Sequence, residues 1–160
     1  ALLKTFLGRD DKGNTRTITP LCGEVNQDVS ASAQGNWFPV GSKKPFEHED
    51  DLLSLIHDNM NPARAVFSNG LSTQASQLNT GSYFFDPQKE GQINRDFKDI
   101  TTDGKLYCYE TTNVDKSFTW PFVIIIQLTS KSTLQIERQE KASCGSGPLA
   151  FDTNVSYFER

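Results

Sequence analysis

The chain has 160 residues, of which 36% are hydrophobic and 22% charged, enough for one domain with a real core. A net charge of −4, a pI near 5.1 and basic residues that never cluster beyond Lys43-Lys44 exclude the electrostatic footprint of a nucleic-acid binder. The longest apolar run, Phe122–Ile126, is a strand's worth, far short of the roughly 18 residues of a spanning helix.

Phe is over-used (11) and Met nearly absent (1), while Thr, Ser, Asn and Gly are spread throughout, a texture of strands and turns. The chain begins at Ala1 without Met, as a processed export signal or a trimmed chain would. Leu2–Leu7 reads as a strand, Asp10–Asn14 as a turn and Thr15–Val25 as an extended arm, with Pro20 marking an edge or a bulge. Asn26–Gln34 is a polar loop, Gly35–Val40 a short aromatic strand and Gly41–Asp51 a charged loop. Leu52–Asp58 is apolar on both faces; its shortness and the Asn59–Pro62 turn favour a strand over two turns of helix. Ala65–Ser68 returns and stops at Asn69-Gly70. Leu71–Thr80 is a loop or a weak edge, Tyr83–Phe85 a strand ended by Asp86-Pro87, and Asp96–Ile100 undecided.

Lys105–Thr111 alternates, with Tyr107 and Tyr109 on one face and Leu106, Cys108 and Glu110 on the other. Phe118–Arg138 reads as one long β-hairpin. Trp120, Phe122, Ile124, Ile126 and Leu128 line one face of its first arm, Ser130–Ser132 connect, and Leu134 and Ile136 alternate in the return arm. Lys141–Pro148 is a Gly/Ser loop and Asn154–Arg160 a final strand. A hairpin alone is marginal in water, so its apolar face demands further strands. No βαβ alternation, repeat or linker appears. The expected architecture is a single all-β domain over residues 1–160, an antiparallel meander of about nine strands closing as an up-and-down barrel in preference to a sandwich.

The three cysteines, Cys22, Cys108 and Cys144, fit one disulfide plus a free thiol in an exported protein; three buried thiols in a cytosolic one is the other reading. Strand pairing brings Cys144 back toward Cys108, so a Cys108–Cys144 bridge is expected, with Cys22–Cys144 still open. Such a bridge contributes ~2–4 kcal/mol. Asn154-Val155-Ser156 is a formal glycosylation sequon.

Catalytic signals are thin. His57-Asp58 follows Glu47, His48, Glu49, Asp50 and Asp51, yet no metal-ligand spacing appears and no cofactor motif is present. The plainer reading of His57 is a strand-end histidine hydrogen-bonded to a turn; the sharper one is a pocket histidine. Cys22 with His57 as base is a nucleophile pair only in composition, and Ser146 between two glycines lies in a loop rather than a nucleophile elbow. The aromatics are more informative. Most belong to the core, but inward aromatics of a barrel can line a cavity for a small apolar ligand. The candidate ligand-binding residues are Trp37, His57, Tyr107, Tyr109, Trp120, Phe122 and Arg138, with no catalytic residue and no metal ligand among them.

Gly35-Asn36-Trp37 at the head of a strand, with Arg160 late in the chain, resembles the Gly-x-Trp signature and late arginine of the lipocalins, or calycins. The resemblance implies a lipocalin-like barrel, a family of ligand carriers with a few lyase-type enzymes that use Tyr, Arg and Glu. HDNMNP, FSNG, RDFKD, LYCYE and YFER resemble segments of exported bacterial all-β proteins of unassigned function. The leading expectation is a secreted or periplasmic binding domain for a small hydrophobic or amphipathic ligand, monomeric or weakly oligomeric. One alternative is a barrel enzyme using Tyr107 or Tyr109 with Arg138 or His57. The other is a protein-binding or inhibitor module acting through loop 43–51 or 86–95.

Overall fold

The computed structural model describes residues 16, 18–20, 23–24, 26–42, 52–70 and 77–160. The expected strand Leu2–Leu7, the turn at Asp10–Asn14, Cys22 and the acidic loop 43–51 lie outside the described residues. Of the arm expected at 15–25, the described residues carry bends and no strand, with a cis peptide at Thr19-Pro20.

Eight strands follow: β1 (Gly35–Pro39), β2 (Leu53–His57), β3 (Ala65–Asn69), β4 (Gly81–Phe85), β5 (Tyr107–Thr112), β6 (Thr119–Ser130), β7 (Thr133–Gln139) and β8 (Ser156–Glu159). They pair in chain order, all antiparallel, and β8 returns to β1 to close a barrel. The meander expected from the short turns is thus the fold. Closure removes every sheet edge, which suits strands this short. The undecided stretch at 96–100 contains a 3-10 turn, Phe97–Asp99, whose N-cap Asp96 accepts the Lys98 N–H.

Alternation fixes which side chains face inward. Odd residues of β5 (Tyr107, Tyr109) and even residues of β6 and β7 (Phe122, Ile124, Ile126, Leu128, Leu134, Ile136) join Trp37, Leu53, Leu55, Phe67, Phe85, Phe97 and Phe158 in one buried core. Phe67, Phe85, Phe97 and Tyr109 stack at centroid distances of 4.8–5.9 Å, in tilted and edge-to-face geometry.

A meander has two ends. The upper end carries the β1–β2, β3–β4, β5–β6 and β7–β8 connections; the lower end carries the β2–β3, β4–β5 and β6–β7 connections. The lower end is sealed by residues 26–34. The Trp37 indole N–H donates to the Ala33 carbonyl at 2.9 Å, and the Ala33 N–H donates to the Ile100 carbonyl. The Gln27 side-chain amide pairs with both backbone groups of His57, at 2.9 and 2.8 Å, substituting for a strand neighbour. Gly35 enters β1 at φ +137°, and a Cβ there would stand 2.2 Å from Asp28 Oδ1, the acceptor of the Asn36 N–H. Gly35→Ala is therefore expected to lower stability by about 2–3 kcal/mol, read as a shift in urea midpoint, with Asp28→Ala recovering part of the loss.

A second apolar cluster lies on the outer wall. Cys108, Val123, Ile125 and Cys144 pack under Leu106, Leu149 and Phe151, so the β7–β8 connection folds down over the outside of β5 and β6. Cys108 and Cys144 are disulfide-bonded (S–S 2.08 Å), the pairing expected. The same connection is held by the buried Glu137, whose carboxylate accepts from the backbone N–H of Asp152 (2.7 Å) and Asn154 (2.9 Å) and from Gln139 Nε2 (2.7 Å). Burial pushes the Glu137 carboxyl up, but these N–H groups outweigh it and hold it below the usual glutamate range. Among the described residues no helix is long and apolar enough to cross a membrane.

Candidate functional site

The seven candidate residues share the inward side of the wall but divide between its two ends, as their hydrogen-bond partners show. Tyr109 donates to the Arg95 carbonyl at 2.9 Å and Tyr107 to Asp103 Oδ2 at 2.7 Å, both in the β4–β5 connection. Burial first, then the Asp103 carboxylate, pushes the Tyr107 phenol up to about 12; burial drives Tyr109 well above its ordinary value. Both are neutral donors at physiological pH, ill suited to act as bases. Trp37 is fully buried, and the guanidinium of Arg160 lies 4.4 Å over its ring. These residues form the floor of the barrel.

His57 belongs to the floor as well. Its Nδ1 faces the Pro62 carbonyl at 2.7 Å, and its Nε2 faces Asp96 Oδ1 at 2.9 Å. Both partners are acceptors, so the ring satisfies both only as imidazolium. The Asp96 hydrogen bond raises its pKa above 6.5; burial opposes this, and the Pro62 carbonyl adds to it. Asp96 is pushed up by burial but held low by His57 and Lys98. A raised histidine contributes stability that is complete below 6.5 and lost as pH rises through its folded value. Thermal midpoints are expected to fall across that interval in the native protein and to stay flatter in His57→Gln, measured by circular dichroism at stepped pH.

The upper end is built differently. Trp120 and Phe122 on β6, Tyr83 on β4 and Arg138 on β7 converge there. Ring centroids are 5.1 Å apart for Tyr83–Trp120, 5.8 Å for Tyr83–Phe122 and 5.7 Å for Trp120–Phe122. The Arg138 guanidinium sits 4.1 Å over the Phe122 ring, a cation–π contact. Its NH2 meets Glu140 Oε1 at 2.5 Å and its NH1 reaches the Gln77 carbonyl at 3.5 Å. Tyr83 donates to the Asn79 carbonyl at 2.7 Å, and Phe118 caps Trp120 from the exposed rim. Gln77 and Asn79 lie in the β3–β4 connection and Glu140 in the β7–β8 connection, so the whole cluster belongs to the mouth.

Among the described residues the indole N–H of Trp120 and the Nε–H of Arg138 are buried without a partner, and so is the Thr111 hydroxyl on β5. Buried donors are nearly always paired, and an orphan costs ~1–3 kcal/mol of desolvation, so a cluster of them asks for an acceptor. Beside the mouth, a polar groove of about 480 Å³ runs between Gln77, the stretch Glu137–Lys141, Asp152 and Asn154.

The structure therefore brings Trp120, Phe122 and Arg138 together, adds Tyr83, and leaves Trp37, His57, Tyr107 and Tyr109 at the other end. Tyr83 was legible as an aromatic but not as a mouth residue, because its neighbours come from strands 37 and more residues away. The tyrosine hydroxyls and Arg138 do not share partners, and His57 lines a separate small hollow with Asp58, Asn59 and Pro62. Ile93 is the exposed large apolar side chain of loop 86–95. The fold and site define an eight-stranded antiparallel meander barrel with a sealed floor and an aromatic, cation-bearing mouth. Comparison with protein-family models, with curated proteins and with solved structures finds no match to this chain.

Proposed function

We propose that the protein is an exported, lipocalin-like barrel that binds a small amphipathic ligand in its mouth. The apolar part of the ligand lies against the half-buried Trp120 and the exposed Phe118 at the rim, above the buried Phe122 and Tyr83, and an acceptor-bearing end meets Trp120 Nε1 and Arg138 Nε. The observation that carries this reading is a pair of buried N–H donors, unpartnered among the described residues and set beside inward aromatics. Ligand sites of this kind combine an apolar lining with a few convergent polar groups. The lipocalin likeness is supported by the meander barrel and by Arg160 lying on the tryptophan of Gly35-Asn36-Trp37 at the head of β1. Export is supported by the Cys108–Cys144 bridge, since such bonds persist in oxidising compartments.

The test is a titration with a dansylated medium-chain fatty acid, followed by fluorescence and by native mass spectrometry. Saturable one-to-one binding is expected. Trp120→Phe and Arg138→Gln should each weaken it roughly 10-fold or more, the worth of one charge-assisted or desolvated hydrogen bond. Tyr107→Phe, at the floor, should leave affinity unchanged. Binding that ignores both mouth substitutions, or no saturable binding, overturns the reading.

A further inference from the structure

The mouth leaves one motif of the chain unexplained, Asn154-Val155-Ser156 in the β7–β8 connection. We propose that Asn154 is an N-glycosylation site, modified in a secretory compartment and carrying its glycan at the lip of the barrel. Of the chain's asparagines, only Asn154 is followed at the second position by Ser or Thr, with a residue other than Pro between.

The surroundings of the side chain also differ from those of asparagines that hold loops. The amides of Asn59, Asn69, Asn94 and Asn113 are each engaged in hydrogen bonds that hold loops. Asn154 is exposed, and its side chain makes no hydrogen bond among the described residues. Its backbone, by contrast, is held on both sides: its N–H donates to Glu137 Oε1 at 2.9 Å, and its carbonyl accepts from Gln77 Nε2 at 3.2 Å. The folded protein thus fixes the backbone and leaves the amide free to carry a bulky group in solvent, which is what a glycan on a surface loop requires. Cys144 lies in the same connection, and its bond to Cys108 belongs to the same oxidising environment in which such transfer occurs.

The transfer step balances without any group from this chain beyond the amide. Asn154 Nδ2 attacks the anomeric carbon of an oligosaccharide carried on a polyprenyl diphosphate. The N-glycosidic bond forms as the sugar–phosphate bond breaks, the diphosphate leaves with the electron pair, and the amide nitrogen loses one proton. The transferase reads Ser156 by its hydroxyl before β8 pairs. In the folded protein, Asn154 stands beside the polar groove of Gln77, Glu137, Gln139 and Asp152. The glycan therefore leaves from the lip, beside the groove that Arg138 also lines, and the inference rests on the sequon and its loop, not on the ligand reading.

The test secretes the full chain from a eukaryotic cell line and compares intact masses before and after peptide N-glycosidase treatment. Expected is a glycan mass that the amidase removes, with Asn154 converted to aspartate in the peptide map. Asn154→Gln and Ser156→Ala should both lack it, and Ser156→Thr should keep it. Asn154→Gln changes an exposed side chain and should match the native thermal midpoint, which separates loss of the acceptor from misfolding. A secreted chain with the Cys108–Cys144 bond formed and Asn154 unmodified overturns the proposal. So does a glycan mass that persists in Asn154→Gln.

Discussion

Arg160→Ala is expected to destabilise the fold by about 3 kcal/mol, with the effect concentrated at the barrel floor. One guanidinium there serves three carbonyls: Ser32 (2.8 Å) and Gln34 (3.1 Å) of the segment that plugs the floor, and Lys131 (3.1 Å) of the β6–β7 turn. Its face covers the Trp37 ring at 4.4 Å. Removing it leaves acceptors unpaired, opens one side of a fully buried tryptophan, and cuts the tie between the last residue and the residues that precede β1. Hydrogen bonds from a charged donor are worth ~1.5–3 kcal/mol each but are not additive, and the exposed Lys131 carbonyl can turn to water, so the sum is held to the lower part of the range. Arg160→Lys should recover only a minor share, because an ammonium on a flexible stem cannot present a planar fork to three acceptors while stacking on a ring. Urea midpoints give the energies. Near-ultraviolet circular dichroism of Trp37 gives the location: its signal should weaken in Arg160→Ala under native conditions. An unchanged midpoint would mean that residues 26–34 are held without Arg160, through Trp37, Gln27, Asp28 and the Ala33–Ile100 bond.

How much of this was legible in the sequence depends on the range over which each interaction acts. The hairpin 118–138 was readable because alternation is local, and its inward set, Trp120 to Leu128, is the inner wall of the barrel. The same reading passed over Val123 and Ile125. An unbroken apolar run is the mark of a strand covered on both faces, but the cover, Leu149 and Phe151, arrives from a connection with no pattern of its own. His57 was legible as a strand-end histidine bonded to a turn, and Pro62 supplies that bond. Its second partner, Asp96, lies 39 residues on, where no local rule reaches. The Gly-x-Trp motif marked the head of β1, and the late arginine named with it does lie on that tryptophan. The mouth was the least legible part. Trp120 and Phe122 were visible as aromatics, but their grouping with Tyr83 and Arg138 depends on closure. Whether an indole or guanidinium N–H finds a partner is decided only once all the neighbouring strands are in place.

Replacing both Cys108 and Cys144 with alanine is expected to cost about 3–4 kcal/mol, the chain-entropy figure for a closed loop with this sequence separation of 36 residues. The loss should be larger than that from any substitution at the mouth, because the bond does more than restrict the unfolded chain. It holds the β7–β8 connection over Val123 and Ile125, where Leu149 and Phe151 join Leu106 in covering the outer face of β5 and β6. Two carboxylates also anchor the connection. The Cys144 N–H donates to Glu110 Oε1 at 2.8 Å, and Glu137 accepts from Asp152 and Asn154. With the bond gone these carboxylates carry more of the connection, beside the Gln77 and Gln139 amides that bond the Asn154 and Ala150 carbonyls. A depressed glutamate contributes stability above its ordinary pKa and loses it as pH falls through the folded value. The double variant should therefore be more acid-sensitive than the native protein, losing its outer cover at a pH where the bridged chain keeps it. Denaturation midpoints at neutral and mildly acidic pH measure the first effect, and binding of an apolar dye on acidification reads the second. If the variant stays as acid-resistant as the native chain, the carboxylate anchors suffice and the bridge acts only on the unfolded state.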